Sequence, residues 1–350
     1  MNGDGCDASC HVEPFATTPP VKISGTLGCD TAFPERARMI AIDGSGTIYA
    51  VMTCAGIAEV VVSTDRGVSF SDPLDLSTEL ASTPVLQVAV ATGPSGVAYV
   101  AMVLSNNQVF LRTTQNRGAT WNAAIPIGTA TDGTVGLSLQ SFNDAVYIGF
   151  KSSNGLSVAR NYNRGTGAFA TTPVVMDGTF FDLEFDIKLG TLAVCTGTPG
   201  FHVRVSSDAG VSFAAEVNPP GQQSRPDWAS GNGRIFVSGN AGFSRSLFVI
   251  PTNAPSTSSN VMGLPLLSLA QHRTLAADAA GNAFIASERN GGVQLDRLAA
   301  GATTFDMFRT IDAQGSLPSV AALPGNAGAA VVYTRGGTGG TEVWATVQAY

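Results

Sequence analysis

The chain reads as all-β: a seven-bladed β-propeller of four-stranded antiparallel blades, its ring closed by an N-terminal strand in the last blade. Three observations predict this. First, charged residues make up only 13% of the 350, about half the usual share, while glycine alone counts 40. That composition does not suit long charge-laced helices; it suits short strands joined by Gly, Asn, Asp, Pro and Ser turns. Second, a strand–turn–strand unit recurs seven times at steps of about 45 to 51 residues. Third, a polar turn ending in an aromatic residue is written at least three times between those units.

The first unit is "RARMIAIDGSGTIYAV", from Arg36: a strand, a Gly-rich turn, and a second strand with an aromatic. Further units start near residues 83, 135, 180, 225, 272 and 317, from "TPVLQVAVATGPSGVAYVAM" to "LPSVAALPGNAGAAVVYT". A third strand follows in each early unit, such as "AEVVVSTD" and "NQVFLRTT", and a weaker fourth follows the polar turn. Four strands per unit of about 45 residues is a blade. The seventh unit supplies only three, around Val320–Ala322, Ala329–Tyr333 and Val343–Val347. "PVKISGT", residues 20–26, is the expected fourth; such an exchange joins the chain ends in one sheet and leaves no open inner edge. Residues 20–350 then form a single propeller domain, and residues 1–19 a tail. Tyr49, Tyr99, Tyr147 and Tyr333 fall at or next to one second-strand position and read as repeated core residues.

The polar turns are "STDRGVSF" at Ser63–Phe70, "TQNRGATW" at Thr114–Trp121 and "SSDAGVSF" at Ser206–Phe213, with a degenerate copy at Asn163. Asp65, Asn116 and Asp208 are placed to accept hydrogen bonds from nearby backbone N–H groups. Gly67, Gly118 and Gly210 permit a left-handed backbone, and Phe70, Trp121 and Phe213 are expected to bury a ring in the blade. The role is structural: each turn fastens a blade. These residues resemble the Asp-box, or BNR repeat, S-x-D-x-G-x-[ST]-[FW], of sialidase-like propellers. The resemblance implies the fold over most of the chain and says little about chemistry, because fold does not give function. A true sialidase would carry an F-R-I-P arginine. Arg36 stands where that arginine would, in "ERAR", without the Phe and Pro. No free Tyr nucleophile can be assigned by motif, and seven units differ from the six blades of sialidases.

Composition and motif exclude other classes. The net charge of −7 comes with no basic run, which argues against a nucleic-acid partner. No apolar run approaches a membrane span. There is no G-x-S-x-G elbow, P-loop, H-E-x-x-H or D-x-D-x-D-G calcium loop. The three histidines, His11, His202 and His272, are too dispersed for a His-rich zinc site, so no metal or other cofactor is expected. The exception left open is a structural cation near Asp182, Glu184 and Asp186. Cys29 and Cys54 flank the first apolar strand as a candidate disulfide, and Cys195 reads as a small buried hydrophobe. "DGCDASCHVE" resembles the end of a disulfide-rich repeat of secreted myxobacterial-type proteins. It implies a monomeric domain of a longer precursor with an extracellular, periplasmic or cell-surface address.

One constellation stands out in so uncharged a chain. Inner strands of propellers begin at one face, and there the sequence writes Arg36 and Arg38, Asp182, Arg225 and Asp227, and His272 and Arg273. "FFDLEFDIK" adds Glu184 and Asp186 at alternate positions, on the face of Asp182. Three readings are open, in this order: ion pairs to arginines of adjacent blades; a ligand pocket at the pore mouth; and a carboxylate pair for glycoside cleavage, with Asp182 and Asp227 the catalytic candidates. The expected function is non-catalytic binding of a glycan or surface protein at this face. The alternatives are a glycoside hydrolase or polysaccharide lyase, and an architectural module of a larger surface protein.

Overall fold

The computed structural model describes residues 16–25, 28–30, 38–80, 83–94, 96–131, 136–142, 145–161, 169–176, 179–186, 190–197, 200–220, 224–241, 244–261, 273–289, 291–337 and 340–350. They form seven antiparallel sheets arranged as blades around a channel. The only helical turn among them is a 3₁₀ turn at Pro324–Asn326.

The inner strands, in ring order, are Ile40–Ile42, Val85–Thr92, Ser138–Phe142, Thr179–Asp186, Ser224–Gly231, Arg273–Ala277 and Gly315–Ala322. Each pairs with the next strand in sequence, so the blades are meanders, with strands from the N-terminal segment added to blades seven and one. The second strands are near-continuous apolar runs, as in Ala98–Leu104, "AYVAMVL", where every residue is buried. Alternation sends Ala98, Val100, Met102 and Leu104 toward blade one and Tyr99, Ala101 and Val103 toward blade three. The core is therefore distributed as apolar seams between neighbouring blades. One seam joins blades seven, one and two; further seams join each later pair in turn through to six and seven. Both faces of each blade are covered, which is why hydrophobic residues here do not alternate with polar ones along a strand.

Two details differ from the sequence reading. Blade four has three ladder strands, and its fourth is reduced to a single bridge, Val203 to Val217. Tyr49, Tyr99 and Tyr147 pair with Ala41, Ala91 and Gln140 on their inner strands, but Tyr333 does not share that register. Phe284, opposite Ala276, holds the equivalent place in blade six. All of these rings are buried, so the apolar demand of the position is met without a tyrosine.

Val21–Lys22 pairs with Gly340–Ala349, Val21 opposite Ala345 and Lys22 opposite Trp344, and so supplies the fourth strand of blade seven. The attachment begins earlier: Thr18 N–H donates to the Val347 carbonyl at 3.0 Å, and Thr346 Oγ1 donates to the Thr18 carbonyl at 2.7 Å. It continues through Gly28 N–H to the Thr341 carbonyl at 3.0 Å. The segment then enters blade one, where Cys29–Asp30 pairs with Ile48–Cys54 beside the inner strand and Cys29 is disulfide-bonded to Cys54.

Candidate functional site

The inner strands are stitched to one another around the channel. Thr92 Oγ1 donates to the Ile42 carbonyl at 2.9 Å, Leu137 N–H to Gln87 Oε1 at 3.0 Å, and Gln140 Nε2 to the Leu183 carbonyl at 3.0 Å. On the other side of the ring, Thr274 Oγ1 donates to the Pro318 carbonyl at 3.2 Å and Met39 N–H to Ser319 Oγ at 3.2 Å. Polar side chains on inner strands thus serve the ring.

At the end where those strands begin, the charged candidates converge. Arg38 precedes the inner strand of blade one and extends its guanidinium to Glu184 of blade four, with Asp182 Oδ2 3.9 Å from the same nitrogen. Blades one and four are as far apart as a seven-membered ring allows, so this ion pair crosses the channel. Among the described residues, the arginine that holds Asp182 and Glu184 stands across the channel, where the sequence reading expected arginines of adjacent blades. An adjacent blade does contribute, but through Ser138 of blade three, whose Oγ donates to Asp182 Oδ1 and accepts from Leu183 N–H at 3.0 Å. Asp182 and Glu184 are each about 2% exposed, whereas the Arg38 side chain keeps 28%. The exposed member of the cluster is the cation.

Burial alone would disfavour the Arg38 cation, but the charges of Glu184, Asp182 and Asp227 outweigh it and hold the proton more firmly than usual. Burial pushes the Glu184 carboxyl up; Arg38 opposes that shift, and Asp182 and Asp227 add to it. Glu184 is therefore the titrating member of the pair. Cys195, opposite Asp182 in the sheet, is buried and its thiol is pushed well up by burial, which leaves it an inert core residue.

The remaining candidates separate as follows. Asp227 lies in the inner strand of blade five, 7% exposed, and its charge is felt at both Arg38 and Glu184. Arg273 opens the inner strand of blade six, half-buried, opposite Ser287. Arg36 and His272 lie outside the described residues, as do the side chains of Arg225 and Asp186. The positive charge beside Asp182 and Glu184, among the described residues, is the Arg38 guanidinium. Among the described residues, one group of potential metal ligands converges, Cys29, Cys54 and Glu59, and its two sulfurs are joined in the disulfide. Sequence reasoning missed Ser138 and Gln140, because a serine or glutamine in a strand carries no signal until its neighbours are known. It also missed the buried pair Arg289–Asp296 of blade six, at 2.6 Å; burial lifts the Asp296 carboxyl to about 6 against the pull of Arg289.

The Asp-box turns lie at the other end of the blades, between third and fourth strands. In each, one oxygen gathers the turn: Asp65 Oδ1 accepts from Ser63 Oγ at 2.7 Å and Ser69 N–H at 2.9 Å, and Asp208 Oδ1 accepts from Ser206 Oγ and Ser212 N–H at the same distances. Asn116 Oδ1 does likewise with Thr114 Oγ1 at 2.9 Å and Thr120 N–H at 3.0 Å. These bonds, led by those from Ser212, hold the exposed Asp208 carboxyl far below the usual range. Phe70, Trp121 and Phe213 pack on the seams but are half-buried, less deeply than expected. The box glycines abut the preceding blade: a Cβ on Gly67 would come within 2.5 Å of Val347 Cγ2, and one on Gly118 within 2.6 Å of Val62 Cγ2.

No protein-family model matches the chain, and no curated protein sequence matches it. Solved structures do. A variant of NanB sialidase from Streptococcus pneumoniae aligns with a TM-score of 0.52 at 11% identity, over 96% of this chain and 71% of the other. The GH74 enzyme of Niastella koreensis aligns with a TM-score of 0.54 at 14% identity, over 85% of this chain and 50% of that one. A prolyl endopeptidase also aligns with a TM-score of 0.54, at 12% identity, over 93% and 50%. Likenesses this remote establish the propeller fold, and three such differently named proteins share it. No helix among the described residues is long and apolar enough to cross a membrane.

Proposed function

We propose that the chain is a secreted or cell-surface binding propeller that recognises a glycan or a surface protein at the mouth where the inner strands begin, without catalysing a reaction. One observation carries this reading: Arg38 crosses the channel to Glu184 and Asp182, while Ser138 caps Asp182. Both described carboxylates of that inner strand are thereby engaged by groups of the protein itself. The disulfide suits an oxidising compartment. A sialidase and a GH74 enzyme among the structural neighbours favour glycan as the ligand class. The test is a glycan array and a surface-protein crosslinking screen with soluble protein. Binding that falls at least about ten-fold in Asp227→Asn or Arg273→Gln, with melting unchanged, supports the mouth as the site. Silence in both screens rejects it.

The second reading, a glycoside hydrolase or polysaccharide lyase, rests on Glu184 being pushed toward its protonated form beside Asp182, the pairing that acid–base catalysis uses. Release of reducing sugar or an unsaturated product, abolished in Glu184→Gln while binding persists, would replace the binding reading with this one.

A further inference from the structure

The N-terminal closing segment meets blade one at three side chains with metal-binding chemistry. Cys29, Cys54 and Glu59 stand on three neighbouring strands, Cys29–Asp30, Ile48–Cys54 and Ile57–Ser63. Cys29 lies directly opposite Cys54, and Glu59 is opposite Met52, two residues before Cys54. Alternation along the strands therefore puts all three on one face of the sheet. Their sulfur and carboxylate atoms lie within 4.8 Å of one another. Both cysteines are buried, and Glu59 is half-buried.

The disulfide leaves Glu59 poorly served. Its Oε2 lies 3.1 Å from Cys54 Sγ, and a disulfide sulfur has no hydrogen to donate. Among the described residues, no lysine, arginine or histidine forms an ion pair with Glu59. Asp75, opposite Glu59 on the outer strand, adds a second negative charge and is itself engaged by Ser77. Burial and the Asp75 charge together push the Glu59 carboxyl up. A bound cation would relieve both effects.

The two sulfurs do not depend on their own bond to stay together. Strand pairing holds Cys29 against Cys54 and Asp30 against Thr53, and Thr341 Oγ1 donates to the Cys29 carbonyl at 2.7 Å. Breaking the disulfide therefore leaves two thiols side by side, next to a carboxylate. Zinc takes sulfur at about 2.3 Å and carboxylate oxygen at about 2.0–2.2 Å, so tetrahedral ligands stand about 3.6–3.8 Å apart. That spacing lies within the span of these three atoms.

We infer that Cys29, Cys54 and Glu59 of the reduced chain form a binding site for one zinc ion, with water in the fourth position. Two steps lead to it. A dithiol reduces the disulfide: its own sulfurs join, and its two protons pass to Cys29 and Cys54. Zinc then binds both sulfurs and releases those two protons to water, while Glu59 contributes an oxygen. Disulfide and ion exclude each other, and each ties the closing segment to blade one. The ring is thus fastened covalently in an oxidising compartment and by metal in a reducing one. None of this depends on the ligand of the mouth.

The test uses the full chain carrying Cys6→Ser and Cys10→Ser, which removes the tail thiols, reduced with a phosphine that is then washed out. Cobalt(II), the spectroscopic stand-in for zinc, should give thiolate bands that saturate at one ion per chain. Zinc should raise the melting temperature of the reduced chain and leave that of the oxidised chain unchanged. Glu59→Gln should weaken cobalt binding at least about ten-fold, since loss of even an outer-shell partner costs that much. Absence of the thiolate bands overturns the inference, as does a zinc shift of equal size in the oxidised chain. Unchanged cobalt affinity in Glu59→Gln overturns the assignment of the third ligand. If the reduced chain loses its sheets by circular dichroism, zinc should restore them, and failure to do so overturns the inference equally.

Discussion

Arg38 decides the character of the mouth. Sequence reasoning picked it out with Asp182, Glu184 and Asp227 because charge is scarce in this chain and these residues share one level of the ring. What it could not supply was the partner, because strand register and repeat spacing place a residue in its blade but do not say which way a long side chain crosses a channel. The energetic consequence is testable. Removing one member of a buried pair leaves the other uncompensated, and with Arg38 retaining partial exposure the cost of Arg38→Ala should be about 2–4 kcal/mol. Replacing both members, in Arg38→Met with Glu184→Leu, should recover most of that loss. Urea unfolding of the single and double variants measures both. If the single change costs nothing, the ion pair contributes no stability.

At the scale of the turn, the hydrogen bonds of the turns at Asp65 and Asp208 were legible because they are local: every partner lies within four residues, while the copy at Asn163 lies outside the described residues. The Asp-box glycines carry a second constraint that no local reading reveals. Gly118 has a φ of +81° and faces Val62 of blade one, whereas Gly210, at φ +76°, has its nearest neighbour, Leu192 Cδ2, at a looser 3.1 Å. Gly118→Ala therefore combines left-handed strain with a clash between blades, about 2–4 kcal/mol, while Gly210→Ala should cost about 1–2 kcal/mol. Chemical denaturation of the two variants gives the ranking; equal losses would show that the interblade contact adds nothing. Blade four shows the limit of legibility from the other side. Its outer strand is a single bridge, because "NPP" at Asn218–Pro220 follows at once and proline cannot donate to a ladder.

For the molecule as a whole, the blade count and the closing strand followed from the repeat period. The seams follow from second strands that are apolar on both faces. The double anchorage of the closing segment did not follow, since only the structure shows it bonded to blade seven from Thr17 and Thr18 and then welded into blade one by Cys29–Cys54. The disulfide closes a loop of 25 residues, and chain-entropy arguments give it about 3 kcal/mol. Reduction, or Cys29→Ser with Cys54→Ser, should lower the melting temperature while the circular-dichroism signature of the sheets survives; unchanged melting would mean that strand pairing alone closes the ring. The same anchorage sets how the domain answers a mechanical pull. Tension on the N-terminal side would peel the strap from the last strand one hydrogen bond at a time, releasing about 40 Å of chain between Thr17 and Cys29. There the covalent stop takes the load and passes it to the second strand of blade one. The closure is a short extensible tether in series with the ring, so the chain can lengthen under force at the cost of only the outer strand of blade seven.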